Sequence, residues 1–353
     1  MKKIAVFAGS DLRNYGGGEK DIINWTSRLK DNFDITIYSR IEKNNRTTMG
    51  YIENQLKGIR IIWYKGKQIR LMKDILTFRN FDLAEYDSVY SSTQGFLLNR
   101  KLQKTSKRFI LGIHTPSTLN ENPIENKTWK RILYQYLYKK QVKIALKSDA
   151  IRIQNSTDAE RLRNIGYNGV IYNIPPAMFD TTFEPIDTGK FYVVWVNRVS
   201  PEKRPEKLIK IAKLRPEIEF HVIGSGKLSY LFNGISNIKK LGFLSDGELQ
   251  KEYQGASAYV STSRGENFGM SAVEAKAHGV PTVVFDVMGL RDFNRFVEKD
   301  DIHVAITLKS LHDRYKTNKE EYLKYRKNLR TVTLRDFSNS VVLPKILDMM
   351  EGN

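Results

Sequence analysis

Short apolar runs alternate with longer amphipathic segments along nearly the whole chain, and no other feature restricts its fold as strongly. The runs Ile4–Ala8, Asp34–Tyr38, Ile59–Trp63, Ser88–Ser91, Phe109–Ile113 and Ala150–Gln154 are each four or five residues long and carry few charges. A run that is apolar throughout suits a strand buried on both faces, and such strands belong to parallel sheets whose crossovers are helices. Helix-like segments do stand between them, including a long one from about Thr128 to Lys147. A second series repeats the pattern, with strands expected at Phe191–Val196, Glu219–Ile223, Ala258–Thr262, Pro281–Phe285 and His303–Ile306 and helices starting near Pro205, Asp246, Phe268 and Lys319. The expected class is α/β and doubly wound, with helices on both faces of each sheet.

With 353 residues the chain exceeds a single core, and at roughly 100–200 residues per domain it should form two. The join falls best in YNIPPAMFD, Tyr172 to Asp180, where adjacent Pro175 and Pro176 forbid a helix and favour an extended connector. The domains so drawn are 1–172 and 173–353, with the final helix packing back toward the first. Open parallel sheets bind ligands beyond the carboxyl ends of their strands, so an interdomain cleft is the natural place for a substrate.

Several classes drop out on composition. The chain has no cysteine, which removes disulfides, thiolate metal sites and a cysteine nucleophile together. No run approaches the roughly 18 apolar residues of a membrane span, and MKKIAVFAGS meets acidic Asp11 too early for a signal peptide. A cytoplasmic protein is the expectation. Its net charge of +19 is uneven: residues 1–173 hold 31 Lys and Arg against 16 Asp and Glu, or +15, and residues 174–353 hold 27 against 23, or +4. That imbalance favours an anionic partner for the first half, whether nucleic acid, phosphate-rich substrate or lipid headgroups.

The chemistry concentrates in RGENFGMSAVEAKAHGVPTVV, which begins at Arg264 and sets Glu266 and Glu274 eight positions apart. Glu266 falls in a loop just before a helix running from Phe268 to His278. Gly269 and Met270 would offer unpaired N–H groups in its first turn, a ready site for phosphate. Two turns in, Glu274 can project from the same end and accept hydrogen bonds from a diol. The plainer alternative is that Glu266 complements the helix dipole and Glu274 is a solvated surface residue.

The stretch ENFGMSAVEAKAHGVP resembles the E-x7-E signature of retaining glycosyltransferases of family 4, which have the GT-B fold of two Rossmann-like domains facing an interdomain cleft. The resemblance implies that Glu266 meets hydroxyls of a donor sugar and that Glu274 holds the ribose hydroxyls of its nucleotide. It also implies that the backbone of Asn267, Phe268, Gly269 and Met270 meets sugar and phosphate. VNRVSPEK, Val196 to Lys203, is similar to the family's strand-end R-x4-K, so Arg198 and Lys203 would clamp the donor diphosphate. Fixed cations there stabilise the charge that grows on a diphosphate leaving group.

Three further matches carry the resemblance. The loop NYGGGEK, Asn14 to Lys20, is similar to a G-G-x-E loop beside diphosphate and acceptor, which maps to Gly17, Gly18 and Glu19. Three glycines also suit a mobile turn, and the spacing is not that of a Walker A loop. His114, in LGIHTP, matches a family histidine that touches the donor sugar. Phe243 and Leu244 lie in a segment whose counterpart flanks the nucleobase. Gly224-Ser-Gly226 lacks the third glycine of a dinucleotide loop and reads as a structural turn. The chain departs from the family pattern at Asn197, where glycine is usual, and at Asn267, where a small residue is usual.

The function implied is a retaining, metal-independent transfer of a sugar from a nucleotide diphosphate sugar to a glycan, lipid-linked or glycolipid acceptor in glycan synthesis. The donor is a co-substrate; no cofactor and no metal are expected. A nucleotide-sugar epimerase of the same fold stands as the alternative enzyme. A basic nucleic-acid-binding protein would explain the charge but leaves both glutamates without a role, so no nucleic acid is expected. RIIWYKGKQIRLMK, Arg60 to Lys73, and WKRILYQYLYKKQVK, Trp129 to Lys143, mix cations with aromatic and aliphatic residues. In the second, Trp129, Ile132, Leu133, Tyr136 and Leu137 keep helical spacing. Either that face packs on the sheet and the lysines are its solvated back, or the first domain rests on an anionic surface at the inner face of the membrane.

Overall fold

The computed structural model describes residues 1–14, 16–41, 49–65, 67–69, 74–76, 81–92, 96–114, 128–178 and 181–352. The chain divides into two units, Met1–Phe179 with Asn339–Asn353, and Asp180–Ser338.

In the first unit the elements run β1 (Lys2–Phe7), α1 (Gly17–Leu29), β2 (Phe33–Ile41), α2 (Met49–Gln55), β3 (Arg60–Lys65), β4 (Lys67–Ile69), β5 (Asp74–Leu76), β6 (Ser88–Ser91), α3 (Phe96–Thr105), β7 (Phe109–Gly112), α4 (Thr128–Leu146), β8 (Ala150–Ile153), α5 (Ser156–Asn164) and β9 (Val170–Asn173). Seven strands form one parallel sheet in the order β3-β2-β1-β6-β7-β8-β9, while β4 and β5 pair as a short hairpin. Side chains alternate across a strand. Accordingly Ala5 and Phe7 enter one core and Ile4 and Val6 the other, with a layer on each face of the sheet.

A buried ion pair crosses this unit. Arg152 on β8 and Asp21 on α1 are both fully buried, and the guanidinium donates to the two carboxylate oxygens at 2.9 and 3.1 Å. Arg152 also donates to the carbonyls of Ile174 at 3.3 Å and Pro175 at 2.8 Å, while Asp21 accepts from Ala177 N at 2.7 Å. Strand, helix and proline connector are thereby tied at one point.

The second unit contains β10 (Tyr192–Val196), α6 (Pro205–Leu214), β11 (Glu219–Ile223), β12 (Ile238–Gly242), α7 (Asp246–Gly255), β13 (Ala258–Ser261), α8 (Met270–Ala277), β14 (Thr282–Phe285), β15 (Phe296–Glu298), α9 (Asp301–Thr317) and α10 (Lys319–Phe337). Its sheet runs β12-β11-β10-β13-β14-β15, all parallel, an order that reverses between β10 and β13. Ligands of open α/β sheets gather at such a reversal, beyond the carboxyl ends. The last helix, α11 (Asn339–Glu351), belongs to the first unit, where Val342, Ile346, Met349 and Met350 share a core with Ile4, Val6 and Trp25.

Some expectations need correction. His303–Ile306 is not a strand but the first turns of α9. Asp300 caps that helix by accepting from His303 N at 2.9 Å, and Val304, Ala305, Leu308 and Leu311 are buried at helical spacing. A four-residue apolar window does not separate the two periods. The helix expected from Phe268 starts instead at Met270, because Gly269 takes a left-handed conformation at its N-cap. On α4 the expected apolar face divides: Leu137 enters the core, whereas Ile132 is 64% and Tyr136 52% exposed. The side chains of Trp129 and Leu133, and part of Arg60–Lys73, lie outside the described residues.

Candidate active site

In the second unit the site is assembled at the ends of β10 and β13, neighbours in the sheet. After β10 the chain turns outward with Val199 buried and Arg198 exposed. The turn is held by Asn197 N donating to Ile223 O at 3.0 Å and Val199 N to Ser225 O at 3.0 Å. Gly224, at φ +110°, has room for no side chain: a Cβ would sit 2.1 Å from Asn197 O. Gly226 is equally confined, 2.2 Å from Val199 O. These two glycines let the loops approach, a packing role.

From β13 the chain continues through buried Thr262 and Ser263 to Glu266. Lys203 Nζ donates to Glu266, and Ser263 Oγ donates to the same carboxylate oxygen at 2.7 Å. The Lys203 and Glu266 side chains are 21% and 19% exposed, so the pair is part-shielded yet reachable from solvent. Sixty-three positions apart in sequence, the two residues become one charge-compensated unit.

Beyond Glu266 the loop is rigidly packed. Asn267 and Phe268 are buried, and the Phe268 ring lies 4.9 Å from that of Phe293 and 5.8 Å from that of Phe337. Gly269 has φ +93°, with Leu290 Cδ2 2.3 Å from where a Cβ would be. Ala272 N and Val273 N make the first bonds of α8, to Gly269 O at 3.0 and 3.3 Å. The amides of Met270 and Ser271 precede them, as the opening amides of a helix do. Two buried tyrosines brace this end, Tyr259 OH 2.9 Å from Ser271 Oγ and Tyr253 OH donating to Ser271 O at 3.2 Å. Burial, and then the charge of half-buried Glu274, holds the Tyr253 phenol well above its usual range. After β12, Phe243 is 81% exposed, whereas Leu244 packs against the core that contains Ile223 and Val284. Of the two, Phe243 is the one that turns its side chain to solvent.

Gly17, Gly18 and His114 belong to the first unit. Gly16 caps α1 without a side-chain bond, Gly17 and Gly18 open the helix, and Glu19 accepts from Ser10 Oγ. A side chain at Gly18 would meet nothing within 4 Å. His114 follows β7 with Nε2 2.5 Å from Tyr90 OH and Nδ1 3.1 Å from Gln154 Nε2. Its side chain is 5% exposed, so both ring nitrogens are taken within the fold. Burial pushes its pKa from 6.5 down to about 4, with nearby Asp21 offsetting part of the effect and Arg152 adding to it. The ring is neutral at pH 7. Its contribution to stability is complete above about pH 6.5 and is lost as pH falls through about 4.

Sequence reasoning missed Ser263, Tyr90 and Gln154. Tyr90 and Gln154 act on His114, which another element supplies, while Ser263 acts on Glu266 three positions along its own loop, where no motif marks a serine.

The model of the family described as Glycosyl transferases group 1 matches residues 179–307, a span that holds Arg198, Lys203, Glu266 and Glu274. An uncharacterized glycosyltransferase of Methanocaldococcus jannaschii is 30% identical over 284 residues, 78% of this chain and 76% of that protein. Among solved structures, the Anabaena protein HepE in complex with UDP and glucose superposes with a TM-score of 0.76 at 14% identity, covering 100% of both chains. Sucrose-phosphate synthase of Thermosynechococcus elongatus gives 0.75 at 14% identity, over 100% of this chain and 99% of its own. The fold is GT-B.

Proposed function

Because the chain belongs to the glycosyl transferases group 1 family, we propose that it is a retaining, metal-independent enzyme of family 4 that moves a sugar from a nucleotide diphosphate sugar to a glycan or lipid-linked acceptor. One observation carries the reading: Lys203 and Glu266 meet at adjacent strand ends, at the point where the sheet order reverses. A cation and a sugar-facing carboxylate side by side suit the bond between an anomeric carbon and a diphosphate. As that bond breaks, Arg198 and Lys203 take up the charge growing on the leaving oxygen. The acceptor oxygen bonds to the anomeric carbon from the same face, and its proton passes to the leaving phosphate oxygen. No side-chain nucleophile is required. Glu266 orients the sugar hydroxyls, Glu274 the ribose, and exposed Phe243 offers a ring to the base.

The test is a panel of nucleotide sugars, UDP-sugars first, scored for release of nucleoside diphosphate in excess EDTA with and without lipid acceptors. Release that EDTA leaves intact is expected. Complete loss, restored by magnesium or manganese, overturns metal independence; no release from any donor overturns the transferase reading.

The glutamates should separate by ligand. In calorimetry, Glu274→Ala is expected to weaken binding of nucleoside diphosphate itself, while Glu266→Ala spares the nucleotide and weakens the intact donor. Wild-type binding of both ligands by both variants would show the site to be misplaced.

The proposed location is the cytoplasm, peripheral at the inner face of the membrane through α4. Residues 128–147 hold six Lys and Arg and no Asp or Glu. Outward-facing Ile132 and Tyr136 stand with exposed Lys139 and Lys143, and Lys140 Nζ lies over the Tyr136 ring at 5.0 Å. Lysines near an anionic bilayer contribute about 1 kcal/mol each. Flotation with anionic liposomes is expected at low salt, reduced by Lys139→Glu with Lys140→Glu, while donor hydrolysis in solution is unchanged. Equal recovery of wild type and variant would favour a soluble acceptor.

A further inference from the structure

Among the described residues Arg204 is the one non-glycine residue with a positive φ, 49° with ψ 60°. That region favours glycine, so an arginine held there points to a constraint beyond the backbone itself. Its side chain supplies the constraint. Nε donates to Thr262 O at 2.6 Å and Nη2 to Ser263 O at 2.8 Å, and the guanidinium lies 4.6 Å from the centroid of Phe285. Two flanking bonds join the same pair of loops: Thr262 Oγ1 donates to Lys203 O at 2.6 Å and Arg264 N to Glu202 O at 2.8 Å. Buried Trp195 donates its indole N–H to that Thr262 hydroxyl at 2.9 Å, which ties the junction to the core of β10.

We propose that Arg204 is a positioning residue that holds the loop carrying Lys203 against the loop carrying Glu266; its effect on turnover rests on the function proposed above. A lysine is a point charge on a flexible stem, so its aim depends on how firmly its own backbone is anchored. The guanidinium fork grips two consecutive carbonyls and thereby sets both distance and angle between the loops. A lysine in its place could reach only one carbonyl and would leave the angle free. The left-handed backbone aims the fork: it turns the chain sharply between Lys203 and Pro205, the first residue of α6, and sends the side chain back across the end of β13.

The test uses Arg204→Gly, which removes the fork while supplying the residue that the backbone conformation favours, so folding is retained. Hydrogen exchange of the Arg264 amide in the whole protein is expected to accelerate about tenfold, since its bond to Glu202 O loses the brace beside it. With the donor turned over in the panel, kcat is expected to fall about tenfold while the donor KM stays within about twofold. Arg204→Lys should recover part of the loss. Placed in a Lys203→Ala background, Arg204→Gly should cost less than about twofold, because the residue acts through Lys203. Unchanged exchange together with unchanged kcat overturns the role, as does a full loss that persists without Lys203. Faster exchange in a protein that transfers no sugar from any donor retains the role of Arg204 and removes the transferase reading instead.

Discussion

A Lys203→Ala variant is expected to turn over roughly 10²–10³ times more slowly than wild type, about 2.7–4 kcal/mol of lost transition-state stabilisation. The loss should fall on kcat, with the affinity for the nucleoside portion little changed, because the ammonium acts where charge develops and not where the base is held. The ion pair sharpens the expectation. Lys203 donates to Glu266, whose carboxylate otherwise accepts from Ser263 Oγ, so removing the lysine also loosens the group proposed to orient the sugar. The combined Lys203→Ala and Glu266→Ala variant should therefore lose less than the product of the single losses. Steady-state kinetics on the three variants measure both quantities. A folded Lys203→Ala enzyme with near wild-type kcat would sink the diphosphate-clamp assignment.

The second large effect concerns stability. Asp21→Ala leaves the Arg152 guanidinium buried with the Ile174 and Pro175 carbonyls but no countercharge. It also strips Ala177 N of its acceptor. Breaking a fully buried pair from one side costs about 3–5 kcal/mol, whereas replacing both charges by apolar groups is often close to neutral. The expected result is an early urea transition in the first unit for Asp21→Ala, largely repaired by adding Arg152→Met. Hydrogen exchange of the β8 amides assigns the transition to that unit. A single variant unfolding at the wild-type midpoint would mean that the ion pair is not what holds β8, α1 and the connector together.

What the sequence makes legible follows from how local each signal is. Central strands such as Ala258–Ser261 and Glu219–Ile223 are read correctly to within a residue, since burial on both faces leaves an apolar run. Of the edge strands, β3 is read from Ile59–Trp63, but β12 and β15 are not: β12 carries Lys239 and Lys240, and β15 is half-buried throughout, so neither presents a continuous apolar signal. The short run at His303–Ile306 misled for the converse reason, the helix beneath it being visible only across three turns. The same distinction divides the candidate site. Lys203 and Glu266 are marked by spacing within their own loops, but their contact is a fact of strand order, as β10 has its successor β11 on one side and the distant β13 on the other. His114 is found by resemblance, yet its engagement with Tyr90 and Gln154 depends on β6 and β8, so no single segment announces it. Arg204 is the least legible, because a left-handed arginine has no sequence mark at all.

The placement of α11 sets a schedule for synthesis. Ile22, Trp25 and Ile346 occupy one core, but the helix that carries Ile346 is made only after the whole of the second unit, Asp180–Ser338. At about 5–20 residues per second the first unit waits on the order of 10 s with one apolar layer incomplete. Its β-strands can pair during that interval, and the open layer is a surface for aggregation or for a chaperone. A ribosome stalled within α10 would release a chain whose second unit is nearly whole and whose first unit is not.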